Sequence, residues 1–140
     1  PKADPPPEDD RLLRLAAEYD NFRKRTIKEK VTLRDTALRE TAIEFLPVYD
    51  NLERALKQET EDAAYKKGVE MTMTQLKTIF EKLELEKIPS LGELFDPNLH
   101  NAVTHVDDDR WGENTITEVF QEGFTHKDTV IRFAMVKVAN

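Results

Sequence analysis

Across residues 11–56 the sequence contains no glycine and a single proline, Pro47. The stretch is rich in Leu, Ala, Arg, Glu and Lys, the residues that lose least on entering a helix. One long helix is what such a run favours, and the rest of the chain has to be arranged around it. Leu12, Leu15, Tyr19 and Phe22 recur with the 3, 4, 3 spacing of a coiled-coil seam. Continued, that register meets Thr26, Glu29, Leu33, Thr36 and Glu40, a poor seam. A second stripe starts one place later, at Ile27, Val31, Arg34, Leu38, Ala42 and Phe45. The apolar face therefore shifts phase near Thr26. A helix this polar gains stability from a partner. The economical partner is its own copy in a parallel dimer, with residues 23–37 as the weakest part of the pairing.

Pro47 predicts a break, a kink or a fresh helix start, because an interior proline costs about 3 kcal/mol. Apolar positions then recur at Val48, Leu52, Ala55 and Leu56. Residues 58–64 read as a polar turn and a new helix start. From Tyr65 the helical period returns at Val69, Thr72, Met73, Leu76, Ile79, Phe80 and Leu83. Two short amphipathic helices with a tight connection make an αα-hairpin, and two hairpins make a four-helix bundle. The expected dimer interface is Leu12, Leu15, Tyr19 and Phe22 on the long helix, with Leu52, Leu56, Met73, Leu76 and Phe80 in the bundle.

The ends of the chain read differently. Residues 1–10 hold four prolines and no large apolar side chain, which predicts a disordered tail. Asp10 is placed to cap the helix that follows. After Glu86, Pro89, Gly92 and Pro97 punctuate a loop, and strand-like runs follow at residues 102–106, 115–120 and 130–138. Apolar residues fill both alternating sets of the last run, as in a strand buried on both faces. The fold class is therefore α+β. Its segments are a tail over 1–10, a long paired helix over 11–46, a helix hairpin over 47–87 and a small C-terminal all-β domain over 88–140.

The chemistry of these residues is sparse. Without cysteine there is no disulfide, thiol nucleophile or cysteine zinc site. No apolar run approaches the roughly 18 residues of a membrane helix, and no secretory signal pattern is visible. A net charge of −7 disfavours nucleic acid as a partner of the whole molecule. His100, His105 and His126 lack metal-ligand spacing, so no metal site is expected. Asp107, Asp109, Gly112 and Glu118 fit a calcium-loop template, but Trp111 occupies a ligand position and the flanks read as strands. The four glycines are scattered singly and Ser90 is the only serine, so neither a phosphate loop nor a nucleophile constellation is present. The basic run Arg23-Lys24-Arg25 with Lys28 and Lys30 is interleaved with Asp20 and Glu29, as on a solvated helix face or one that meets an acidic protein surface.

Four blocks in order carry a resemblance. They are Glu18-Tyr-Asp-Asn-Phe-Arg-Lys-Arg-Thr26, Phe45-Leu-Pro-Val-Tyr-Asp-Asn-Leu-Glu-Arg-Ala-Leu56, Phe95-Asp-Pro-Asn-Leu-His-Asn-Ala-Val103, and Gly123-Phe-Thr with Val130-Ile-Arg-Phe-Ala-Met-Val-Lys-Val-Ala139. Together they closely resemble the GrpE family, nucleotide exchange factors of the bacterial DnaK chaperone. The resemblance implies a cytoplasmic homodimer that is not an enzyme, carries no cofactor and binds neither nucleic acid nor membrane. It implies binding to the nucleotide-binding domain of DnaK, opening of its cleft and release of ADP, with the long helix sensing heat. Carried over by resemblance, the chaperone-binding residues are Arg23, Arg54, Lys57, Gly68, Phe95, Pro97, Phe120 and Val138. Lys57 departs from the acidic residue often found at its position. The plainer alternatives are β-core packing for Phe120 and Val138, a solvated helix charge for Arg23 and Arg54, and a helix-start glycine for Gly68. The rival function is a coiled-coil scaffold or adaptor without exchange activity.

Overall fold

The computed structural model describes residues 8–140. The expected tail falls mostly outside them, and its last three positions are helical. Helix α1 runs Glu8–Lys57 and α2 runs Ala63–Lys82. Asp10 is therefore no cap: with Glu8 and Asp9 it lies in the first turn of α1, where acidic charge favours the positive end of the helix dipole. Arg54 and Lys57 suit the other end. The described residues divide into two units, residues 8–40 and residues 41–140. In the first, no described side chain is buried within the single chain.

In the second unit the helix neither breaks nor restarts at Pro47 but passes through it. Proline removes the hydrogen bond to the carbonyl of Ile43. Ala42, Leu46 and Tyr49, on both sides of Pro47, are buried in one core, and that packing outweighs the local penalty. Residues 58–62 connect α1 to α2, and Asp62 caps α2 by accepting from the Tyr65 N–H at 3.0 Å. The end of α2 is marked by Glu84 in the left-handed region at φ 59°.

Six strands follow: β1 Leu85–Lys87, β2 His100–Val106, β3 Thr115–Gln121, β4 Phe124–His126, β5 Thr129–Arg132 and β6 Ala134–Ala139. One sheet has the order β1-β4-β5, all antiparallel. The other has the order β2-β6-β3, with β2 parallel and β3 antiparallel to β6. The single strand expected over 130–138 is in fact two, divided at Phe133 and given to different sheets. Within β6, Ala134, Val136 and Val138 are buried on one face, while on the other Met135 and Lys137 are partly buried and Ala139 is fully buried.

Two apolar clusters hold the unit together. The first joins Ala42, Leu46 and Tyr49 of α1, Met73 and Phe80 of α2, Leu85 and Phe124. Within it the rings of Tyr49, Phe80 and Phe124 form a triangle with centroid separations of 5.0, 5.5 and 6.0 Å. The second cluster is Ile116, Ala134, Val136 and Val138. Gly123 needs to be glycine because a Cβ there would run into the backbone at Ala134 and Arg132.

Candidate functional site

In the first unit, Leu12, Leu15, Tyr19 and Phe22 are all more than half exposed. They form an apolar stripe that nothing among the described residues covers. Beside them Arg23 and Lys24 both reach Asp20, at 3.4 and 2.9 Å, and Arg25 reaches Glu29 at 3.8 Å. The hydrogen bond and charge of Lys24 hold the Asp20 carboxyl below the usual carboxylate range, with Arg23 adding to the effect. Arg23 is thus a solvated charge in an intrahelical pair, and such exposed pairs contribute little to stability.

The bundle positions behave otherwise. Met73 and Phe80 are buried in the chain's own first cluster, and Leu52, Leu56 and Leu76 pack partly buried against it. Their apolar spacing is thus already used within one chain, because α1 and α2 bury their facing stripes on each other and on Phe124. At the end of α1, Arg54 donates to Asn51 Oδ1 at 3.2 Å and Lys57 pairs with Glu53 at 3.5 Å. Gly68 is not at a helix start but inside α2, and a Cβ added to it meets nothing within 4 Å. Nothing among the described residues requires glycine there, although helix interiors disfavour it by about 1 kcal/mol relative to alanine.

In the β region, Phe95 packs half-buried against the second cluster, 6.0 Å from the His100 ring. Its loop is held by His100. The ring accepts the Asp96 N–H at Nδ1 and donates from Nε2 to the Pro89 carbonyl, both at 3.0 Å. Asp96 Oδ1 accepts the Asn98 N–H at 2.9 Å, which leaves Pro97 exposed at the bend. Phe120 sits where the β3–β6 register slips between Val119 and Gln121, and it is half exposed. Such a bulge re-aims a side chain out of the ladder. Lys137 Nζ lies 5.9 Å above the Phe120 ring and pairs with Glu118 at 2.9 Å. Val138, by contrast, is 4% exposed in the second cluster, so its side chain serves the core.

Among the described residues, no three His, Cys, Asp or Glu side chains converge to hold a metal. In the stretch that fits the calcium template, Arg110 lies across Asp108 at 2.7 Å and holds its carboxyl down to about 2. No helix among the described residues is long and apolar enough to cross a membrane.

Sequence reasoning passed over Asp50 and Arg132. Both stand inside the quoted blocks, but no local pattern pairs them. Arg132 Nη1 and Nη2 each donate to a different Asp50 oxygen at 2.8 Å, and both side chains are largely buried. The surroundings are tuned by burial. It pushes the Tyr49 hydroxyl well above its ordinary range, with Glu53, Glu122 and Asp50 acting in the same direction. It also raises Glu122, helped by Glu53 and opposed by Lys87, Lys57 and Arg132.

A family model described as GrpE matches residues 8–140. The chain is 53% identical over 131 residues to Protein GrpE of Clostridium acetobutylicum, covering 94% of this chain and 65% of that protein. It is 50% identical over 131 residues to Protein GrpE of Clostridium tetani, with coverage of 94% and 65%. Against Protein GrpE of Oceanobacillus iheyensis the identity is 43% over 130 residues, with coverage of 91% and 68%. The chain spans just under two thirds of the length of the first two of these relatives. With the family model running through both helices and all six strands, the chain belongs to the GrpE family.

Proposed function

We propose that this chain is a co-chaperone that binds the nucleotide-binding domain of a DnaK-type chaperone and accelerates its release of ADP. The observation that carries this reading is the GrpE family match across residues 8–140. The chemistry is that of binding alone. A protein opens a partner's cleft by holding the open form more tightly than the closed one. ADP favours the closed form, so the two ligands weaken each other reciprocally, by about 5–150-fold for coupling of ordinary size. In this reading the contacts are Arg23, Arg54, Lys57, Gly68, Phe95, Pro97 and Phe120. Val138, which pairs with Ile116 and is buried in the second cluster, contributes by holding β3 on β6.

The active form in this proposal is a cytoplasmic homodimer. Its long helices run parallel, its hairpins meet as a four-helix bundle, and each chain presents one β domain. The exposed stripe of Leu12, Leu15, Tyr19 and Phe22 supports the pairing, since a continuous apolar face seeks cover. The test is release of labelled ADP from DnaK with and without the protein. Acceleration that saturates with added protein is the expected result. An unchanged off-rate despite binding would instead identify a scaffold or adaptor.

A further inference from the structure

We propose that Asp50 and Arg132 are positioning residues: a latch that sets the orientation of the β region on α1 and thereby its ability to act on the partner. The inference rests on the exchange reading above. The apolar triangle of Tyr49, Phe80 and Phe124 joins the helices to β4 mainly by burial, which is non-directional, with only the modest edge-to-face preference of its rings to set an angle. The Asp50–Arg132 pair is directional. Its two parallel hydrogen bonds, both at 2.8 Å, fix the guanidinium plane against the carboxylate. Gln121 Nε2 approaches Asp50 Oδ2 at 3.4 Å, so β3 is held to the same carboxylate. Arg132 Nε also donates to the Glu122 carbonyl at 2.9 Å, and the guanidinium lies 5.6 Å from the Phe124 ring centroid.

The place of the latch in the fold gives it reach. Arg132 ends β5, and only Phe133 separates it from β6, the central strand of the other sheet. That strand pairs with β3, whose bulge presents Phe120. Fixing Arg132 therefore fixes β6, the strand against which the Phe120-bearing β3 is paired. The pair need not stabilise the fold to do this. Burying two charges roughly offsets their attraction, and well-packed apolar replacements of such pairs are often neutral or stabilising. Orientation is what an apolar replacement fails to reproduce.

The experiment follows from that asymmetry. The chain has no cysteine, so Gln58→Cys and Asn101→Cys, both at exposed positions, take spin labels uniquely. Labelled chain diluted into unlabelled chain reports one intramolecular distance distribution. Asp50→Leu with Arg132→Met removes both charges together and should unfold at close to the wild-type denaturant midpoint. Its distance distribution should broaden. The maximal rate of ADP release should fall about tenfold while the half-saturating concentration changes by no more than about twofold. Arg132→Lys keeps the charge but loses the fork, and should show an intermediate loss. A double variant with a wild-type distance distribution, or with a broadened one and a wild-type maximal rate, would overturn the latch. If the wild-type protein itself leaves ADP release unchanged, the exchange reading fails, and the distance distribution alone decides whether the latch exists.

Discussion

Gly68 and Gly123 look alike in the sequence and have opposite physical roles. At Gly123 a methyl group meets the backbone of two strands, so Gly123→Ala should destabilise the chain by about 2–4 kcal/mol in denaturant unfolding. At Gly68 a methyl group meets open space, so Gly68→Ala should stabilise it by about 1 kcal/mol. If Gly68→Ala lowers partner affinity while raising stability, glycine is kept there for an approach from outside the chain. Asp108 supplies a pH signature. Its carboxyl, held down to about 2 by Arg110, lies below the ordinary value of 3.8. The native state therefore binds fewer protons than the unfolded state in that window. Stability from the pair is complete above the unfolded value and is lost as pH falls from 3.8 toward 2. Unfolding midpoints of Asp108→Asn should be flatter than wild type over this acid range.

Among the elements, α1 teaches most. That a long helix opens the chain was legible because helix formers run without glycine, and α2 was legible from its apolar period. Its continuity through Pro47 was not, because the burial of Leu46 at 1% and Tyr49 at 3% depends on α2 and β4, which local propensity does not contain. If packing carries the helix against a local penalty, Pro47→Ala should stabilise the chain by up to about 3 kcal/mol, read as a higher denaturant midpoint. No gain would mean that the helix is bent there to suit the proline. The split at Phe133 escaped notice because neither glycine nor a turn residue marks it. Strands β1 and β4 have three residues each, too few for a periodic signal. The Asp50–Arg132 pair spans 82 positions, and no local pattern announces a partner so distant. Candidate residues on exposed bends and bulges, such as Pro97 and Phe120, were found through family motifs and stand at the surface. Val138, carried over by the same resemblance, belongs to the core.

At the scale of the whole molecule, stability should be uneven. Residues 8–40 contain no buried side chain in the single chain, whereas residues 41–140 hold both apolar clusters. Local opening free energy follows buried contact. A calorimetric scan of the proposed dimer should therefore show two transitions, the lower one belonging to the long helices. Thr26→Leu with Glu29→Leu fills the poor seam and should move only the lower transition upward, by several degrees. A single transition, or no movement in the variant, would remove heat sensing by this helix. The connection over residues 58–62 has a consequence of another kind. It is exposed throughout, and doubling its length would add only about 0.6 kcal/mol of closure entropy. The step from β5 to β6 allows no such growth, because Phe133 alone spans it. Inherited insertions, or a domain grafted by an engineer, should therefore collect at the hairpin tip, leaving the passage between the two sheets at a fixed length.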